Sequence, residues 1–188
     1  MSRFAHHMPF GTELAANGTR FRLWAPDAEN VELVIGEGEK AYPMPAADKG
    51  WREIHIGDAP PGTLYQFQID GGLRVPDLAS RFQPKDVHGP SEVIDPTGYV
   101  WKNPEWAGRP WQDVVFYELH PGTFSRQGTY AGAVEKLDYL ADLGVTAVEL
   151  MPVSDFPGHH NWGYDGVAPY APDSAYGRPE DLKAFIDA

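Results

Sequence analysis

The sequence contains no cysteine. Disulfides, thiolate nucleophiles and cysteine-ligated zinc are excluded, and a reducing compartment is compatible. Long apolar runs are missing too. None approaches the roughly 20 residues needed to span a bilayer, and residues 1–10, MSRFAHHMPF, lack the apolar core of about 7 to 15 residues that an export signal carries. The expectation is a cytoplasmic chain with no membrane partner. Positive charge is scarce: 15 Lys and Arg face 27 Asp and Glu, for a net charge of −12. That field repels phosphates, and no basic run offers a local exception, which argues against nucleic acid as a partner. Gly71 and Gly72 lead into no helix, so no phosphate-cradling loop stands out and no cofactor is expected.

Turn formers and aromatics are abundant: 18 prolines, 20 glycines and 13% aromatic residues in 188. This composition favours many short elements over long helices, with one good core or two modest ones. Period-two alternation recurs between residues 9 and 96. Phe21 and Leu23 alternate with arginines; Val31, Leu33 and Ile35 form a second run; Ile54 and Ile56 flank His55; Tyr65, Phe67 and Ile69 alternate with glutamines. Each run is bounded by Gly, Pro, Asp or Asn, the spacing of a small antiparallel sandwich. Trp24 and Trp51 read as core aromatics of that sandwich more readily than as sugar platforms. Residues 75–95, with Pro76, Pro84 and Pro90, read as an extended arm, and Trp101, Trp106 and Trp111 read as packing at a domain junction.

Beyond residue 113 the pattern changes. An apolar run at 114–119, a helical stripe over 130–143 (Val134, Leu137, Leu140, Leu143) and a second apolar run at 145–150 spell a βαβ unit. Thr129 is placed to cap the helix and Gly144 to end it. Gly177-Arg-Pro-Glu-Asp opens another helix, with proline at its first position and acids in its first turn. Asn161-Trp-Gly-Tyr-Asp165 occupies the loop after the second strand, at the carboxyl end of the sheet where α/β folds build their sites.

Specific motifs now resemble known families. Phe21-Arg-Leu-Trp-Ala-Pro26 is similar to the opening of the immunoglobulin-like module (carbohydrate-binding module 48) that precedes the barrel in many glucan-processing enzymes. Gly144-Val-Thr-Ala-Val-Glu-Leu-Met-Pro-Val153 and Trp162-Gly-Tyr-Asp165 resemble the second-strand motif and following loop of the α-amylase superfamily, glycoside hydrolase family 13. Tyr117-Glu-Leu-His-Pro-Gly-Thr-Phe124 and Asp165 narrow the resemblance to the malto-oligosyltrehalose trehalohydrolases. Glycogen branching enzymes tend to end the first motif in Ser-Trp and to carry Gln at the last position. Pro121 departs from the pattern, where a small aliphatic residue is expected.

The resemblance implies an N-terminal all-β immunoglobulin-like sandwich over 1–96, a linker over 97–112, and over 113–188 the first two βα units of a (β/α)8 TIM barrel. It implies a hydrolase that releases trehalose from maltooligosyltrehalose by a retaining mechanism. The catalytic carboxylates would come from strands four, five and seven, so no catalytic residue is expected in this chain, which would be inactive alone. A glycogen branching enzyme and a non-catalytic glucan-binding module remain as alternatives.

For substrate contact the resemblance points first to Tyr164, whose ring would stack on a sugar at the cleaved subsite, with Asp165 hydrogen-bonding a hydroxyl, Trp162 shaping the loop and His120 supporting the site. Glu118 and Glu149 lie inside apolar strands and would there need hydrogen bonds; they read as structural, as does Asp155. His120, His159 and His160 lack the spacing of a zinc site, and no metal is expected. The partner expected is maltooligosyltrehalose or a related α-glucan, with possible self-association through the open sheet edge.

Overall fold

The computed structural model describes residues 9–36 and 40–188; residues 1–8 of the stretch read for an export signal lie outside the described residues. Among the described residues no helix is long and apolar enough to cross a membrane. The alternating runs become two antiparallel sheets. One orders β1 (Gly11–Ala15), β2 (Gly18–Trp24) and β5 (Trp51–Ile56) as β1-β2-β5. The other orders β4 (Lys40–Pro43), β3 (Val31–Ile35), β6 (Leu64–Ile69) and β7 (Arg74–Val75) as β4-β3-β6-β7, with β8 (Ser91–Glu92) also pairing β6. Their inward side chains, Phe21, Val31, Leu33, Ile56, Tyr65 and Phe67 among them, form one buried cluster. This is the expected immunoglobulin-like sandwich.

Within that core Tyr65 donates its hydroxyl to Asp77 Oδ2 at 2.8 Å, so the polar tip of a fully buried ring is satisfied. Burial pushes the Asp77 carboxyl up to about 6. The arm over 75–95 is packed down, as an extended arm laid over a surface would be. It contributes β8, and Asp77, Ser80, Phe82, Gln83 and Val87 are buried.

Two tryptophan expectations are overturned. Trp24 is 60% exposed, because it falls on the outward parity of β2, opposite Phe21 and Leu23. Trp106 and Trp111 are exposed as well; Trp111 rests against Phe116 with ring centroids 5.5 Å apart, and neither ring is packed between domains.

The barrel part starts with β9 (Phe116–Leu119), paired in parallel with β10 (Ala147–Leu150) in the register Phe116 to Ala147 and Leu119 to Leu150. Between them the chain forms α1 (Pro121–Phe124), α2 (Tyr130–Val134) and α3 (Leu137–Leu143). The single helix expected over 130–143 is therefore broken. Lys136 N–H bonds back to the Ala133 carbonyl at 3.0 Å, one residue nearer than in an α-helix. Gly132 sits where a Cβ would meet Ser125 Oγ at 2.3 Å, and this glycine, required by the close approach, weakens the first segment. Thr129 caps α2 by accepting from Gly132 N–H at 3.1 Å, and Gly144 ends α3 at φ 94°, as expected.

Pro121 is accommodated as the first residue of α1, where its missing N–H costs nothing. Beyond β10 the chain adds a short antiparallel pair, β11 (Ser154–Asp155) with β12 (Ala168–Pro172), then α4 (Pro179–Asp187). Pro179 opens α4, and Asp181 accepts from Arg178 N–H at 2.8 Å. A second core of Tyr130, Ala133, Phe156, Tyr176 and Phe185 lies among these helices and the hairpin. Arg178 joins the two parts: its guanidinium meets Glu92 at 2.5 Å and lies 4.5 Å over the Phe82 ring.

Candidate active-site loop

Because β9 and β10 run parallel, both carboxyl ends fall on one rim, and the residues that leave them are His120 and Met151. His120 is held at both ring nitrogens. Gly122 N–H donates to Nδ1 at 3.0 Å, so Nδ1 is the acceptor, and Nε2 carries the hydrogen donated to the Asn161 carbonyl at 2.7 Å. The imidazole thus caps α1 on one side and ties down the 161–165 loop on the other. Its ring stands edge-on to Tyr176, 5.8 Å away at 84°.

Asn161 continues the anchoring by accepting from Gly163 N–H through Oδ1. Gly163 sits at φ 95°, with Pro152 packed where its Cβ would be: the carbonyl oxygen would lie 2.7 Å away. Only glycine fits both conditions. The backbone is therefore pinned on both sides of Trp162, while the side chains of Trp162 and Tyr164 stand 81% and 71% exposed. Asp165 is exposed too, and among the described residues none of the three makes a hydrogen bond or ring contact.

Beneath this loop lies a support of which sequence reasoning singled out only Asp155, as a structural acid. Asp155 and Asp173 are both buried and reach across to each other's segment: Asp173 Oδ2 accepts from Phe156 N–H at 3.1 Å, and Asp155 Oδ2 accepts from Ser174 N–H at 3.3 Å. Asp155 Oδ1 is buried without a hydrogen bond. Burial, with the charges of Asp173 and Asp86 adding, pushes the Asp155 carboxyl up to about 7. Burial likewise raises Asp173, and it pushes Tyr176, with Asp173 contributing, up to about 12. Asp173 carried one legible signal, since its Oδ1 accepts from Ala175 N–H at 2.7 Å, two residues on, the turn that Asp-Ser-Ala invites.

The other acids behave differently from the expectation of hydrogen-bonded strand residues. Glu118 and Glu149 are register partners and both exposed, because the sheet face they occupy is uncovered. Among the described residues no group of three or more His, Asp or Glu side chains converges as a metal site.

Residues 81–188 match the family described as the alpha amylase catalytic domain, and residues 9–96 match carbohydrate-binding module 48 (isoamylase N-terminal domain). The chain belongs to the α-amylase family. It is similar to the malto-oligosyltrehalose trehalohydrolase of Saccharolobus solfataricus, at 42% identity over 96% of this chain and 32% of that protein. A branching enzyme of Photobacterium profundum stands further off, at 36% identity over 91% of this chain and 26% of its own length. A Salmonella typhimurium protein of known crystal structure shares 48% identity with a TM-score of 0.93, covering 97% of this chain and 31% of that one. This α-amylase-family chain spans about a third of the length of the curated relatives it matches.

Proposed function

We propose that this chain is the N-terminal portion of a retaining glycoside hydrolase that cleaves the α-1,4 bond next to the trehalose end of maltooligosyltrehalose and releases trehalose. The observation that carries the reading is Tyr164, an exposed, unpartnered ring on a backbone pinned by His120, Asn161 and Gly163 at the carboxyl rim of β9 and β10. A ring so placed stacks on a pyranose with little loss of backbone freedom, and its face favours positive charge growing at the anomeric carbon. Asp165 offers an acceptor to a sugar hydroxyl, Trp162 walls the loop, and His120 acts as a positioning residue. The relatives' names and the Thr123, Phe124 and Asp165 signature favour the trehalohydrolase over a branching enzyme.

Retaining hydrolysis uses one carboxylate to attack the anomeric carbon and a second carboxyl, about 5 to 5.5 Å away, to protonate the leaving oxygen. Asp155 has a carboxyl raised to about 7, in the range of a general acid, but it is 0% exposed and its Oδ2 is engaged by Ser174. In this reading it braces the loop, and the reacting carboxylates come from further strands of the barrel. Until such strands cover the open β9–β10 edges, a second copy of the chain is a partner that can pair there.

The test uses a polypeptide carrying this chain and the remaining barrel strands, incubated with maltooligosyltrehalose. Trehalose release is expected, and Tyr164→Ala is expected to lower kcat/KM at least about tenfold. New α-1,6 linkages in place of free trehalose would select the branching enzyme.

A further inference from the structure

The arm of the sandwich reaches the loop that carries Tyr164, and it does so through a strained residue. Asp86 sits at φ 67°, in the left-handed region where a side chain is disfavoured. The local turn explains part of this: Gly89 N–H donates to the Asp86 carbonyl at 2.9 Å, and Asp86 Oδ1 accepts from Val87 N–H. Glycine would adopt that turn with less strain. What glycine lacks is the second carboxylate oxygen, Oδ2, which accepts from Gly158 N–H at 2.8 Å across the join. A carboxylate offers an acceptor to each amide, whereas asparagine would turn an NH2 group toward one of them.

Gly158 belongs to the stretch 157–160, exposed at every position, which runs from β11 to Asn161. A Cβ on Gly158 would meet nothing within 4 Å, so packing does not fix this position. The loop is tied on one side to His120 through the Asn161 carbonyl, and on the other to the Asp155 and Asp173 brace. Asp86 holds the span between them. Its charge also stands close enough to the brace to add to the raised carboxyls of Asp155 and Asp173. Other contacts across the join lie elsewhere: Arg178 and Lys183 reach the sandwich side from α4, and Phe10 meets Tyr170 of β12 with ring centroids 5.3 Å apart.

We infer that Asp86 is a positioning residue for the substrate loop, so that the sandwich arm, and not the barrel part alone, sets where the Tyr164 ring stands. The loop's part in catalysis rests on the function proposed above; the tether rests on the geometry of Asp86 and Gly158. A tethered loop meets its ligand already ordered. A released one must be ordered at each binding event, a cost that falls on KM before kcat.

The experiment compares Asp86→Gly, Asp86→Asn and Asp70→Gly, with thermal melts confirming each fold. Asp86→Gly suits the backbone and removes the tether. Asp70, at φ 52°, is the control, because its carboxylate serves Asn30 N–H at 2.7 Å inside the sandwich. Hydrogen exchange of the 188-residue chain, read by mass spectrometry, is expected to run at least about fivefold faster over 157–165 in Asp86→Gly, less so in Asp86→Asn, and unchanged in Asp70→Gly. In the longer polypeptide with maltooligosyltrehalose, Asp86→Gly is expected to raise KM about three- to tenfold with kcat within about twofold, and Asp70→Gly to change neither. Unchanged loop exchange in Asp86→Gly, or equal acceleration in Asp70→Gly, would overturn the tether. Unaltered kinetics in Asp86→Gly, or a loss confined to kcat, would overturn the positioning role. If the unaltered longer polypeptide releases no trehalose, the proposed function fails, and loop exchange alone still decides whether Asp86 tethers the loop.

Discussion

The sandwich and the barrel part bury their aromatics by different routes. In the sandwich Phe21, Tyr65 and Phe67 stack edge to face at 5.0 and 5.9 Å between two sheets that close on each other. In the barrel part Phe116 and Tyr117 stand exposed on β9, and the second core is assembled from α2, the β11–β12 hairpin and α4. The contrast follows from strand direction. An antiparallel sandwich covers its inner faces by itself, whereas a parallel pair is built to be covered on both. The sandwich is therefore complete as packing, and the barrel part is complete only on the side where its loop and helices lie.

That asymmetry is broken most severely by truncating one ring in each part. Phe67→Ala opens a cavity in a fully buried core and is expected to cost about 3 to 5 kcal/mol. Phe116→Ala, on the uncovered face and losing its contact with Trp111, is expected to cost about 1 kcal/mol. Urea unfolding followed by near-ultraviolet circular dichroism measures both. Similar costs at the two positions would mean that the open face is covered in solution.

The next test works at the join. Arg178 is half-exposed, but Glu92, which it meets at 2.5 Å, is nearly buried. Arg178→Ala leaves that carboxylate without its cation and is expected to cost about 1 to 3 kcal/mol. It also removes one tie between the parts, so their unfolding transitions should separate in a calorimetric scan. A single undivided transition of unchanged midpoint would show that the remaining contacts, among them Gly158 N–H to Asp86, Lys183 to the Pro96 carbonyl and Phe10 against Tyr170, suffice.

The two parts also differed in how much their sequence disclosed. Period-two alternation marked β2, β3, β5 and β6 because each has one buried and one wet face, and the same parity, applied strictly to Trp24, would have placed it outside. The βαβ unit and both caps, Thr129 and Gly144, were legible from local chemistry. The helix break at Lys136 was not, because the apolar stripe runs through it without a Pro or Gly at the break. Tyr164 and His120 could be singled out by position and by resemblance. The Asp155 and Asp173 brace could not, since neither acid reveals by spacing that it reaches an amide nearly twenty residues away.

That brace supplies the pH test, and it belongs to the barrel part alone. The Asp155 carboxyl is raised to about 7 in the folded chain, whereas in the unfolded chain it sits near the ordinary 3.8. Between these values the folded state holds a proton that the unfolded state has lost. The resulting stability is fully present below about pH 4 and is lost as pH rises through about 7. Asp155→Asn keeps an acceptor for Ser174 and cannot ionise, so it is expected to gain about 1 to 2 kcal/mol over the parent at pH 8 and little at pH 4. Denaturation curves at the two pH values check this. A gain that does not depend on pH would place the retained proton elsewhere, with Asp173 as the group to substitute next.

The smallest expected effect separates site from scaffold most cleanly. Tyr164 is 71% exposed and makes no hydrogen bond or ring contact among the described residues, so Tyr164→Ala is expected to change stability by less than about 0.5 kcal/mol. Tyr176, a ring of the same chemistry under the same loop, is 2% exposed, and Tyr176→Ala is expected to cost several times more. Thermal melts of the two variants compare them directly. A stable Tyr164→Ala chain that loses turnover in the longer polypeptide assigns the ring to the substrate. An unstable one would mean that the ring packs against something in solution, and its loss of activity would then report on folding instead of stacking.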